Sequence, residues 1–189
     1  MPPDARSVLP GGRTLVSAVA VVSVATALGV LAHRSTPWLA ATLVPIIVVS
    51  VHLAVVDIEQ HRLPNAIVAA LALLVTIGLP VAGFVTDDPG RAGRALGLGL
   101  AAAGVFLVGH VAGGVGMGDV KYAYPATATV GWFGLDAVTI AAIAMLLTGA
   151  GAAGVVVSTG QGADRRVPFG PCMVVGLVAG LVAAGSLAP

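Results

Sequence analysis

Two aspartates stand apart from the other charged residues of this sequence. Asp57 closes an apolar run from Ile46 to Val56, broken only by Ser50 and His52, and opens the polar stretch Asp57-Ile58-Glu59-Gln60-His61-Arg62 ahead of Leu63-Pro64-Asn65. Asp119 closes Gly113-Gly114-Val115-Gly116-Met117-Gly118 and precedes Val120-Lys121. Two carboxyl groups a few ångströms apart cannot both ionise readily; they share one proton, one member poised as base and the other as acid. Such a pair can activate water against a peptide carbonyl with neither a metal nor a side-chain nucleophile. Each aspartate alone also fits a plainer role, Asp57 as a solvated helix end and Asp119 as a helix cap. The spacing leaves open which is base and which is acid.

The surroundings make the plainer roles insufficient. Of 189 residues, nine are Lys or Arg and eight are Asp or Glu, while 58% are apolar and the mean hydropathy is +1.03. A soluble domain of this length carries about 25% charged residues, against 9% here, so most of this surface faces lipid. Soluble enzyme folds and intrinsic disorder are excluded together. The net charge of +1, without a dense basic patch, gives no reason to expect nucleic acid as a partner. The single cysteine, Cys172, rules out an internal disulfide and a four-cysteine zinc site, and no metal or cofactor is implied. In a membrane setting an acid costs about 2.5–3.5 kcal/mol on insertion scales, so two at such junctions call for a function.

Between charged residues lie uncharged windows at 14–33, 35–56, 63–86, 95–118, 122–135, 137–163 and 167–189. About 20 apolar residues rising 1.5 Å each cross a hydrocarbon core of about 30 Å, so six windows are candidate spans. The seventh, 122–135, needs Asp119 and Lys121 to lengthen it; a helix from about 119 to 134 crosses only if snorkelled at Lys121 or held by neighbours. The expected fold is all-α: a polytopic transmembrane helix bundle of about seven helices (six to seven), one membrane-embedded domain over 1–189 with a cytoplasmic tail at 1–13. Period-two alternation is missing, which excludes a β-barrel. Arg6, Arg13 and Ala25-Thr26-Ala27 give the first window a signal-peptide look, but the apolar run continues to Ala32, so a retained anchor is expected.

Spans at roughly 64–85 and 94–113 separate the two aspartates, and an even number of crossings returns both to the same leaflet. With a cytoplasmic N-terminus, Arg6, Arg13, Arg62, Lys121, Arg165 and Arg166 lie inside and Arg34, Arg91 and Arg94 outside, which places the aspartates toward the cytoplasm. Asp87 to Arg94 reads as an outer loop and Asp136 as a helix N-cap, while Asp164 sits beside Arg165. Gly93-Arg94-Ala95-Leu96-Gly97-Leu98-Gly99 and Gly151-Ala152-Ala153-Gly154 read as close helix contacts.

On three blocks the sequence resembles the prepilin peptidases, or type IV leader peptidases, GxGD-type intramembrane aspartic proteases of prokaryotes. Asp57-Ile58 through Leu63-Pro64-Asn65 is similar to the first aspartate motif, and Gly116-Met117-Gly118-Asp119-Val120-Lys121 to the GxGD block with its trailing Lys. Val167-Pro168-Phe169-Gly170-Pro171 resembles the late segment that opens the last helix. Signal peptide peptidases and presenilins pair GxGD with a Tyr-Asp block, whereas Val56 precedes Asp57 here. The resemblance implies catalytic Asp57 and Asp119. Gly116, Gly118, Lys121, Pro64, Asn65, Pro168, Phe169 and Gly170 are expected to support the site or bind substrate. It also implies removal of a short basic leader, just after a glycine, from prepilin-like precursors at the cytoplasmic membrane. Pilus or secretion assembly proteins are then further partners. Only 13 residues precede the first window, so the cysteine-bearing domain linked to methylation is expected to be missing, and with it methyltransferase activity.

Glycines 113–118 are expected to form an irregular backbone along which an extended substrate lies. Pro64 is expected in the first turn of its helix, Lys121 at the headgroups, and His52 and His110 in core packing or Ser/Thr hydrogen bonds. Cys172 is expected as a small apolar packer. A transporter or proton-coupled protein is the chief rival, but it predicts acids in mid-span and inverted-repeat symmetry, and the sequence has neither. A non-catalytic scaffold for pilus assembly is the third reading.

Overall fold

The structure, a computed structural model, describes residues 37–60, 63–158 and 169–187. Among these it is all-helical: α1 (Pro37–Gln60), α2 (Asn65–Val85), α3 (Pro89–Val111), α4 (Met117–Gly131), α5 (Leu135–Ser158) and α6 (Gly170–Leu187). The first apolar window, the 1–13 tail, His61, Arg62, Asp164 to Arg166, Val167 and Pro168 lie outside the described residues. Among the described residues, by length and composition, three helices, α2, α3 and α5, are long and apolar enough to cross a membrane. Window length alone expected six spans. Helix α1 runs for 24 residues and α6 for 18, both apolar, over the second and last of those windows.

The helix boundaries follow from local chemistry. Pro64 precedes α2 as its cap rather than sitting in its first turn: at φ −62° and ψ 117° its backbone is extended, and its carbonyl accepts from the N–H groups of Ile67 and Val68. Helix α3 starts at Pro89, earlier than the loop reading of Asp87 to Arg94 expected. Asp88 caps it, with one carboxylate oxygen 3.0 Å from the Arg91 N–H and the other 3.0 Å from Arg91 Nε, and Pro89 brings a φ suited to a first turn. Asp87 turns the chain at φ 56°, a left-handed value that Asp tolerates better than most residues. Asp136 lies inside the first turn of α5, not at its cap, because Gly134 at φ 122° makes the turn.

Helix α4 organises the bundle. It touches all five of the other helices, most extensively α3, and α5 packs chiefly on α6. Val120, Tyr122, Ala123, Pro125, Ala126, Ala128, Thr129, Val130 and Gly131 of α4 are buried, which resolves the problem of a 15-residue helix in lipid: its neighbours cover it. Close approach is made by glycines other than most of those expected. A Cβ on Gly99 would lie 2.7 Å from the Tyr124 carbonyl oxygen, and Cβ atoms on Gly176 and Gly180 would lie 2.6 and 2.8 Å from the carbonyl oxygens of Ala141 and Ala137. Gly93, Gly97, Gly151 and Gly154 meet nothing within 4 Å. The outward faces of α2, α3 and α5 carry Leu73, Phe84, Leu100, Val108, Val111, Ile143 and Leu147 exposed, a surface matched to lipid tails.

Candidate active site

Asp57 sits three residues before the end of α1 and is 7% exposed. The first N–H of α6, that of Gly170, donates to its Oδ2 at 2.9 Å. Residue 170 has to be glycine for this contact, because a Cβ there would stand 2.8 Å from the same oxygen. Phe169 fixes the approach: its ring lies 6.1 Å from that of Phe106 on α3, tilted by 56°, and a Cβ on Gly149 of α5 would meet its edge at 3.1 Å. The late segment thus builds part of the Asp57 site through backbone from Phe169 onward, Val167 and Pro168 being outside the described residues. Phe106 and Gly149 carried no signal in the sequence, being one aromatic and one glycine among many in apolar windows.

Asp119 occupies the first turn of α4. The preceding chain ends α3 with Gly113 at φ 83°, and the His110 ring Nδ1 pairs with the Val115 carbonyl at 2.8 Å. His110 therefore fastens this connector, in place of the core packing or Ser/Thr bond expected of it. The irregular backbone is shorter than the glycine run: Gly116 is the cap, its carbonyl accepting from the Asp119 and Val120 N–H groups, and Met117 and Gly118 are already helical.

The two glycines of the GxGD block have separate steric causes. A Cβ on Gly116 would meet Asp119 Oδ2 at 3.0 Å, since that carboxylate folds back over its own cap. A Cβ on Gly118 would meet the Leu63 side chain at 3.1 Å.

Asp119 lies at the loop end of α4, outside the three spanning helices. Burial, and next the negative charge of Asp57, push its carboxyl up to about 6, against a hydrogen bond with the Gly116 backbone that pulls the other way. The chain therefore brings both aspartates into one electrostatic site, although 61 residues separate them.

The remaining expectations divide. Lys121, expected to reach the headgroups, is exposed and its Nζ donates to Asn65 Oδ1 at 3.0 Å. His52 is exposed rather than packed in the core. Cys172 is buried in α6. The Glu59 side chain lies outside the described residues. Among the described residues no three His, Cys, Asp or Glu side chains gather as metal ligands would. An apolar cavity of about 360 Å³ opens between α3, α4, α5 and α6, walled by Val105, Phe106, Ala126, Met145 and Phe169, and so reaches within one residue of the N–H that holds Asp57.

Comparison of the chain with curated proteins and with solved structures gave no match. A sequence profile of the type IV leader peptidase family matches residues 43–154, a stretch holding Asp57, Asp119 and more than half of the chain. With that match over both aspartates and the bundle that joins them, the chain belongs to the type IV leader peptidase family.

Proposed function

We propose that this family member is a membrane aspartic endopeptidase that cuts the short basic leader from type IV prepilin-like precursors (pilin, pseudopilin or Flp-type) at the cytoplasmic boundary of a prokaryotic membrane. Membership of the family supports peptidase activity in general. The aspartic mechanism rests chiefly on one observation, the electrostatic meeting of Asp57 and Asp119 across two intervening helices.

The two carboxyl groups differ in what surrounds them, which suggests a division of labour. Asp57 Oδ2 already accepts the Gly170 N–H, leaving Oδ1 to take a proton from water as its oxygen attacks the scissile carbonyl carbon. Asp119, holding its proton up to about pH 6, gives it to the carbonyl oxygen. The tetrahedral diol then collapses: the C–N bond breaks, the proton taken up by Asp57 passes to the leaving amine, and the diol returns a proton to Asp119. Water is consumed and both carboxyl groups are restored.

Co-expression of the chain with a pilin-like precursor, followed by gel shift, tests this reading. Wild type is expected to convert the precursor, and Asp57→Ala, Asp119→Ala and the Asn versions to leave it intact. Full processing by either Ala variant refutes the dyad.

A further inference from the structure

The helices that carry the two aspartates barely touch each other: of all packed pairs in the bundle, α1 and α4 share the slightest contact. Something else has to fix their separation. On the Asp57 side α6 reaches Asp57 through Gly170, and α6 also packs on α4. Leu63 and Asn65, just beyond α1 in sequence, both meet α4. Leu63 packs on Gly118, where a Cβ would stand 3.1 Å from Leu63 Cβ and 3.2 Å from its Cδ1, and Lys121 Nζ donates to Asn65 Oδ1 at 3.0 Å. Residues three apart share a helix face, so Gly118 and Lys121 form one docking edge, and Asp119, about 100° round from Gly118, projects away from it. Leu63 in turn is packed against the buried core of the bundle.

We propose that Lys121 and Asn65, with Leu63 seated on Gly118, are positioning residues that set the distance between the Asp57 and Asp119 carboxyl groups. The inference rests on the reading of these aspartates as the catalytic pair. It gives the outlying residues of both motifs a shared purpose, since the Leu-Pro-Asn that follows Asp57 and the Lys that follows Asp119 are two halves of a single clasp. The Lys121 ammonium is engaged by an amide oxygen, and among the described residues it makes no ion pair, so it acts as a tether and not as a counter-charge for either carboxylate. Gly118 is required because the leucine needs its space.

The charge of Asp57 is one cause of the raised Asp119 carboxyl, so a slackened clasp has an electrostatic signature. Among the described residues the charge that raises the Asp119 carboxyl is that of Asp57 on α1, and the charge of Asp119 acts in turn on the Cys172 thiol of α6. Helix α2 contains none, α3 contributes His110, bound to Val115, and Arg91 and Arg94 at its far end, and α5 has only Asp136 in its first turn. His61 and Arg62 are outside the described residues.

The test uses the full chain, purified in detergent, and a prepilin-like precursor, with kcat, KM and the alkaline limb of the pH profile measured for Lys121→Met, Asn65→Leu, the double variant, Lys121→Arg and Asn65→Asp. Lys121→Met and Asn65→Leu are each expected to lower kcat about tenfold with KM within about twofold, and to move the alkaline limb toward acid as Asp57 recedes. The double variant should be no worse than either single one, and Lys121→Arg and Asn65→Asp should recover most of kcat. Independent, multiplying effects, a loss confined to KM, or an unmoved alkaline limb overturns the clasp. Should Lys121→Met fail to fold, Asn65→Leu carries the same test from the other partner. Asp119→Ala run alongside separates the two levels: its activity refutes the dyad itself, whereas its inactivity with an unaltered Asn65→Leu refutes only the clasp.

Discussion

Replacing Gly170 with Ala adds one methyl group at the place where α6 meets Asp57. That methyl would stand 2.8 Å from Asp57 Oδ2, 3.0 Å from its Cβ and 3.1 Å from its Cγ. Ordinary contact begins at about 3.5 Å, so the carboxylate has to retreat by roughly 0.5–0.7 Å or α6 has to tilt. Either movement stretches the 2.9 Å hydrogen bond from the Gly170 N–H. A hydrogen bond to a charged group contributes about 1.5–3 kcal/mol, and a misplacement of about 1 Å at a reacting group costs about a hundredfold in rate. The expected loss is therefore about tenfold to a hundredfold in kcat, with KM within about threefold. Overpacking also costs stability, about 1–3 kcal/mol. Gly151→Ala is the control, since a Cβ there meets nothing within 4 Å, and it should leave kcat unchanged while stabilising α5 by about 0.5–1 kcal/mol. Both variants are assayed by precursor cleavage in detergent, with thermal unfolding followed in parallel. A Gly170→Ala enzyme within about twofold of wild-type kcat refutes the claim that this N–H positions Asp57.

The carboxyl of Asp119, at about 6, is protonated below that pH and ionised above it, so cleavage that needs its proton should fall as pH rises through about 6. Linkage fixes a second sign: the folded chain holds this proton between 3.8 and about 6 where the unfolded chain has lost it, so stability declines across that window as pH rises. Asp119→Asn should accordingly unfold at higher temperature than wild type at about pH 7.5 and at a similar temperature near about pH 3.5, while losing activity throughout. Gly180→Ala, which drives a methyl to 2.7 Å from Val130 and 2.8 Å from the Ala137 carbonyl, should cost about 1–3 kcal/mol, whereas Gly104→Ala, open within 4 Å, should cost nothing measurable by thermal unfolding. Asp88→Ala removes the cap of α3 and should lower stability by about 1 kcal/mol without changing kcat.

The sequence showed the helical membrane class because charge is scarce, and it showed the aspartates because they stand where apolar windows stop. It singled out Gly116, Gly118 and Gly170, but not the steric crowding the structure shows at each, which for two of them involves partners distant in the chain: Leu63 for Gly118 and Asp57 for Gly170. Window arithmetic counts uncharged residues without asking what covers them, so it could not say how the short window at 122–135 is accommodated. Helix α4 is short and held by five neighbours, a tertiary fact that hydropathy does not encode. The early start of α3 was legible in Asp88-Pro89, a cap followed by a proline, and was missed because the charged residues there suggested a loop. His52 and His110 were misassigned for a related reason: a histidine in an apolar window reads as buried until the helix face it occupies is known. Lys121 illustrates the limit most sharply, since its partner, Asn65, lies two helices earlier.

The most direct test of the aspartic dyad is mass analysis of products formed when the purified chain meets a prepilin-like precursor in proteoliposomes. The predicted result is one cut, just after the glycine at the end of the basic leader, made by wild type and by neither Asp57→Asn nor Asp119→Asn. An unchanged product from either variant, or no cut at that position by a folded wild-type chain, contradicts it.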